Sequence, residues 1–225
     1  MIARIAAETI GTALLLAIVV GSGIMGAKLA AGNDAVALLA NTIATGAGLF
    51  TLITVFAPIS GAHFNPAVTI AALIQRSLTL KAAAAYIAAQ FGGACAGVIA
   101  AHAMFGLPLL QASGRARGTP GEFLGEVIAT FGLVLTIRLM ARAALAHVAA
   151  AVALWITAAY WFTSSTSFAN PAVTFARSLT DTFAGIVSTN VAAFMLAQLV
   201  GMALALAAAR CIESSPSSPL SSNKR

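Results

Sequence analysis

The chain has 225 residues, 60% of them hydrophobic and 8% charged, with a mean hydropathy of +0.96. A water-exposed globule is excluded, because a soluble surface carries about 25–35% charged residues. The net charge of +6 comes from cations set between apolar runs and at the ends, where anionic headgroups meet them, so nucleic acid is not implied.

An apolar run of about 20 residues crosses a hydrocarbon core of about 30 Å, and six such runs are read along the chain. The first covers 5–25, after Arg4 and without a convincing cleavage site; an uncleaved signal-anchor has the same pattern. A loop with Lys28, Asn33 and Asp34 leads to the second run, 35–56, broken by Pro58, Ser60 and Gly61. Asn65-Pro66-Ala67-Val68-Thr69 then opens a short apolar stretch ending near Gln75. Asn is a favoured N-cap and Pro suits the first helical turn. The stretch reads as a half-helix, too short to cross, which re-enters against protein. Arg76 and Lys81 precede the third run, 82–105, whose Gly92, Gly93 and Gly97 allow close helix approach. A loop at 106–120 carries Arg115 and Arg117; the fourth run covers 122–140 and the fifth, after Arg142, covers 147–162. Ser164-Ser165-Thr166-Ser167 leads into Asn170-Pro171-Ala172-Val173-Thr174, the first pentapeptide repeated letter for letter, and a second half-helix to Leu179. The sixth run covers 181–210, with Asp181 as its N-cap. The Ser/Pro-rich stretch 213–225 reads as a disordered tail, leaving 1–212 as one transmembrane domain.

Further landmarks recur in the same order. Glu8-Thr9-Ile10-Gly11-Thr12 resembles Glu126-Val127-Ile128-Ala129-Thr130, and Ala89-Gln90 with Gly93 matches Ala197-Gln198 with Gly201. They divide the chain into repeats at about 1–105 and 121–210. Three crossings per half make the copies inverted in the membrane, and paired broken helices in such a repeat mark a solute site near the midplane. With the N-terminus inside, eight cations (Arg4, Arg76, Lys81, Arg138, Arg142, Arg210, Lys224 and Arg225) face the cytoplasm. Four (Lys28, Arg115, Arg117 and Arg177) face the other side. The bias predicts both termini in the cytoplasm of a multi-pass plasma (inner) membrane protein. Cys95 and Cys211 have no metal-ligand spacing, and no nucleophile or phosphate loop is read. No enzyme, metal or cofactor is expected.

Ser60-Gly61-Ala62-His63-Phe64 before the first motif, the second Asn-Pro-Ala, the paired glutamates and the Ala-Gln-x-x-Gly pair resemble the aquaporin, or major intrinsic protein, family. The resemblance covers residues 6–209. It implies an all-α membrane protein of six transmembrane helices plus two re-entrant half-helices, with one pore per subunit in a homotetramer. Pro66, Ala67, Pro171 and Ala172 then belong to the pore motifs with Asn65 and Asn170. Counting without gaps, the family's four filter positions fall on Thr45, Ala158, Ser167 and Val173. Water-selective members resemble Phe, His, a small residue and Arg there. The expected filter is therefore open and uncharged, without ring or guanidinium.

Each candidate residue has a plainer reading. Asn65 and Asn170 carry amides with two donors and one acceptor; they cap their own helices and are also set to donate to passing oxygens. The half-helix dipoles point positive ends at the centre and oppose cations. Glu8 and Glu126 are intramembrane carboxylates, costly and so suspect as functional. They read either as a proton relay or as anchors for re-entrant N–H groups, and the lack of a partner Lys or His favours anchors. His63 reads as a pH gate or, preferably, as a brace for its loop. Arg177, one turn beyond Val173, either replaces the missing filter cation, pairs with Asp181 or meets headgroups.

The expected function is a passive channel for small uncharged solutes. Metalloid hydroxides such as arsenite and antimonite rank first, with glycerol-like solutes and water. A water-selective aquaporin, a proton-coupled transporter and a non-conducting scaffold are the alternatives. Expected partners are membrane lipid and small neutral solutes.

Overall fold

The computed structural model describes residues 1–214. Among them are eight helices: α1 (Ile2–Leu29), α2 (Asp34–Ser60), α3 (Pro66–Ile74), α4 (Leu80–Met104), α5 (Pro120–Leu139), α6 (Leu145–Phe162), α7 (Pro171–Arg177) and α8 (Ser188–Ser214). Five of them, α1, α2, α4, α6 and α8, are long and apolar enough to cross a membrane. At 20 residues α5 rises about 30 Å; it packs on α8 as α1 packs on α4. The order long, long, short, long thus occurs twice.

Local chemistry sets the boundaries. Asn33 accepts from the N–H groups of Ala35 and Val36 to start α2, and Thr79 caps α4. Thr119 and Glu122 form a reciprocal capping box on α5, with Pro120 at the first turn. Helix α2 carries Pro58 within its last turn and ends only at Gly61, whose φ of +92° suits a residue without a Cβ.

Small residues bring the helices together. A Cβ on Gly93 or Gly97 would run into the carbonyl oxygens of Thr9 or Ala13 in α1, and one on Gly201 into Val127 of α5. Gly92 differs from the expectation: nothing lies within 4 Å of its would-be Cβ, because it turns away from α1.

Two further expectations are corrected. Asp181 does not cap the last span, which begins at Ser188. It lies in the intervening segment, accepting from the Gly114 N–H at 2.9 Å while its own N–H donates to Gln111 at 2.9 Å. Glu213 and Ser214 belong to α8, and the remainder of the expected tail lies outside the described residues. Arg138 and Glu213 form an ion pair at 2.6 Å, which joins the C-terminal ends of α5 and α8 at one end of the bundle.

Gly93→Val is expected to force α1 and α4 apart and lower stability by about 1–3 kcal/mol. Gly92→Ala should stay within about 0.5 kcal/mol of wild type. Thermal unfolding of the two purified variants in detergent checks the difference.

Candidate solute pathway

Asn65 and Asn170 start α3 and α7, and each amide is divided between two tasks. The Oδ1 of Asn65 accepts from Ala67 at 2.8 Å; that of Asn170 accepts from Ala172 at 3.0 Å and Val173 at 3.3 Å. The Nδ2 of Asn65 donates to the Ala169 carbonyl at 2.7 Å, and that of Asn170 to the Phe64 carbonyl at 2.8 Å. Each half-helix start is thus tied to the residue preceding the other asparagine. An amide nitrogen has two N–H groups, so each Asn keeps one for something else.

The segments leading into these caps are strained at matched places. Ala62 and Ser167, three residues before each Asn, have φ of +49° and +50°; Phe64 and Ala169, immediately before, have +50° and +49°. Such conformations cost about 1–3 kcal/mol each in a residue with a Cβ. Two wholly buried carboxylates hold them. Glu8 accepts from Ser60 (2.6 Å), the N–H groups of His63 (3.0 Å) and Phe64 (2.7 Å), and Gln90 (2.8 Å). Glu126 accepts from the N–H groups of Phe168 (2.8 Å) and Ala169 (2.9 Å), and from Gln198 (2.6 Å). Gln90 and Gln198 each donate also to a threonine of the adjacent half-helix, Thr69 at 2.9 Å and Thr174 at 2.8 Å. Both glutamates are therefore fully engaged as backbone anchors.

A cavity of about 340 Å³ extends from Gln75 and Arg138, at the C-terminal ends of α3 and α5, past both asparagines to Arg177. Its walls are mainly aliphatic, including Leu15, Val19, Ile53, Val68, Leu133 and Val152. Thr45, Ser167 and Val173, three of the four expected filter positions, line it. Ser167 Oγ is buried with no partner among the described residues, which leaves it free for a solute.

Ala158 does not join them. It is exposed on the outside of α6, while Ile156 and Tyr160 line the cavity. Residues two apart point about 200° apart around a helix, so Ala158 cannot share their face. The ungapped count fails because it runs back through the non-helical residues 163–170, where spacing says nothing about facing. In place of Ala158 stands Tyr160, 3% exposed, donating its hydroxyl to Thr45 at 3.3 Å. A ring is therefore present where none was expected.

His63 is braced within its loop and also borders the cavity. Its Nδ1 lies 3.1 Å from the Thr69 hydroxyl and its ring is edge-on to Tyr86 at 5.4 Å.

Arg177 neither pairs with Asp181 nor reaches headgroups. It is 2% exposed, its Nε donates to the Ala184 carbonyl, and its guanidinium lies 3.4 Å over the Phe168 ring. Sequence reasoning missed its companion Arg117, also buried, whose Nε donates to Gly185 (3.0 Å) and Nη1 to Ser165 (3.1 Å). Burial, with Arg115 nearby, lowers the Arg117 guanidinium to about 10, so it is still a cation at neutral pH. An Arg in an aperiodic loop carried no signal that it folds inward. A second cavity of about 280 Å³ lies beyond, lined by Arg115, Arg117, Arg177, Asp34 and Glu122.

An aliphatic passage between two facing helix starts, set in a bundle of membrane-crossing helices, defines a channel for small solutes and not an enzyme. Comparison with known proteins agrees. The Major intrinsic protein family profile matches residues 1–144. The chain is 53% identical over 207 residues to a Rhizobium meliloti (strain 1021) protein called aquaglyceroporin AqpS, covering 92% of this chain and 88% of that one. Mouse aquaporin-5 is 38% identical over 112 residues, 44% of this chain and 40% of its own. The solved aquaglyceroporin from Plasmodium falciparum superposes with a TM-score of 0.74 over 92% of this chain and 94% of its own; at 21% identity this shows a shared fold. The chain belongs to the major intrinsic protein family.

Glu126→Gln sets an amide against the Phe168 and Ala169 N–H groups or Gln198, leaving a donor facing a donor. Stability should fall by about 1–3 kcal/mol, with reduced but measurable solute flux. Thermal unfolding paired with liposome flux reads both.

Proposed function

We propose that the chain is a passive channel for compact, uncharged, hydroxyl-rich solutes, conducting glycerol-like molecules and metalloid hydroxides such as arsenite and antimonite together with water. The observation that carries this reading is the mixed character of the cavity wall. The wall offers the spare amide N–H groups of Asn65 and Asn170 and the free Ser167 hydroxyl and is otherwise mainly aliphatic, with Val173 where the family resemblance implies an arginine in water-selective members. Selectivity in such pores comes from diameter, lining donors and acceptors, and electrostatic barriers. A small molecule with hydroxyls on all sides exchanges its water for these donors, while the apolar wall has nothing to bind an ion. The 53% identical relative is itself called an aquaglyceroporin, which supports glycerol and water as solutes.

Residues 1–212 form one channel domain in this reading, with 1–105 and 121–210 as inverted copies. Both termini lie in the cytoplasm and the assembly is a homotetramer in the plasma (inner) membrane. Large apolar side chains exposed on the helices, among them Ile43, Leu154, Trp161 and Leu196, support a surface covered by lipid or by neighbouring subunits. A proton-coupled transporter is disfavoured, since the carboxylates of Glu8 and Glu126 are spent on backbone donors.

Stopped-flow light scattering on proteoliposomes with water, glycerol and arsenous acid tests the reading. Wild type should pass all three, and passage of water alone would overturn it. Val173→Arg narrows the cavity and should suppress the larger solutes more than water, whereas Tyr160→Ala should raise them. The Asn65→Leu, Asn170→Leu double variant should lose at least about nine-tenths of every flux, as polar lining is removed from the centre.

A further inference from the structure

We propose that Arg177 is the cation barrier of this channel, displaced one helical turn from the place held by Val173, with Arg117 and Phe168 as its positioning residues. The inference rests on the cavity being the solute pathway. Among the described residues, Arg177 is the one that lines both the cavity of about 340 Å³ and the cavity of about 280 Å³ beyond it. A solute moving from one to the other passes its guanidinium.

Three features make that guanidinium a fixed, unneutralised charge. No carboxylate lies within 4.0 Å of it, the one ion pair among the described residues being Arg138–Glu213. The acids lining the second cavity are Glu122, held in its capping box with Thr119, and Asp34 at the start of α2. Second, Arg177 donates through Nε to Ala184, and its terminal nitrogens have no acceptor among the described residues, although the side chain is buried. Third, its position is fixed. Phe168 carries Arg177 at 3.4 Å and Arg117 at 5.0 Å from its ring, and Arg117 is tied in turn to Gly185 and Ser165. The adjacent carbonyls of Ala184 and Gly185 thus hold both cations beside the loop that carries Ser167.

The consequence is a separation of tasks. Charge is tested at Arg177, where the two cavities meet, and size at Thr45, Tyr160, Ser167 and Val173. A cation is turned back while still hydrated, and the inner ring is free to be uncharged.

The test uses the full chain in proteoliposomes, reading proton and potassium leak by trapped fluorescent dyes beside glycerol flux. Arg177→Gln removes the charge, and Arg177→Met removes it with an apolar chain of similar volume over Phe168; whichever variant inserts and passes glycerol decides the matter. Cation leak should rise at least about tenfold over wild type. Adding Val173→Arg to the neutral variant should bring it back toward wild type by restoring a guanidinium one turn deeper. A leak unchanged from wild type in a glycerol-conducting neutral variant would overturn the assignment. Wild type that passes no neutral solute at all would instead sink the underlying channel reading.

Discussion

Backbone N–H groups inside a membrane must find partners within the protein, because hydrocarbon offers none. Two helices that stop halfway across expose several such groups where they begin. The rest of this structure follows from how they are satisfied. Two buried glutamates each accept from consecutive N–H groups just before a half-helix, His63 and Phe64 in one case, Phe168 and Ala169 in the other. A lone buried carboxylate is very costly; one that accepts three or four donors becomes a rigid clamp. The clamp tolerates the left-handed residues at Ala62, Phe64, Ser167 and Ala169, and those turns bring the two asparagines to one cavity.

The duplication reaches into details that carry no obvious advantage. Thr12 and Thr130 each bury a hydroxyl without a partner among the described residues, and Gln90 and Gln198 each leave a carbonyl oxygen in the same state. Matched imperfections argue for descent from one unit more strongly than matched strengths, since packing alone has no reason to repeat them.

Much of this was legible in the sequence, and the limits were physical. Apolar runs and two copies of one pentapeptide carry the helix count, the broken helices and the shared centre, because length and capping chemistry are local properties. The glutamate anchors were legible once a relay partner proved missing. Facing is not local. Ala158 was assigned by a count without gaps, although residues 163–170 between it and the second motif are not helical, and the cavity-lining residue is Tyr160. Gly92 stood beside two true packing glycines but points away. Arg117 was assigned to a loop, and Arg177 was left between a filter cation, a partner of Asp181 and a headgroup contact. Phe168 and the carbonyls of Ala184 and Gly185 instead hold both inside. Each miss concerns which way a residue faces in the folded bundle, which no spacing rule encodes.

The reciprocal bonds from Asn65 to Ala169 and from Asn170 to Phe64 act as a pair of rivets across the waist of the molecule. Loosening either half-helix would break a bond belonging to the other half as well. The bore of the waist is therefore set jointly by both halves. The two ends of the molecule are built differently: Arg138 meets Glu213 at one, and the cavity walled by Arg115 and Arg117 lies toward the other.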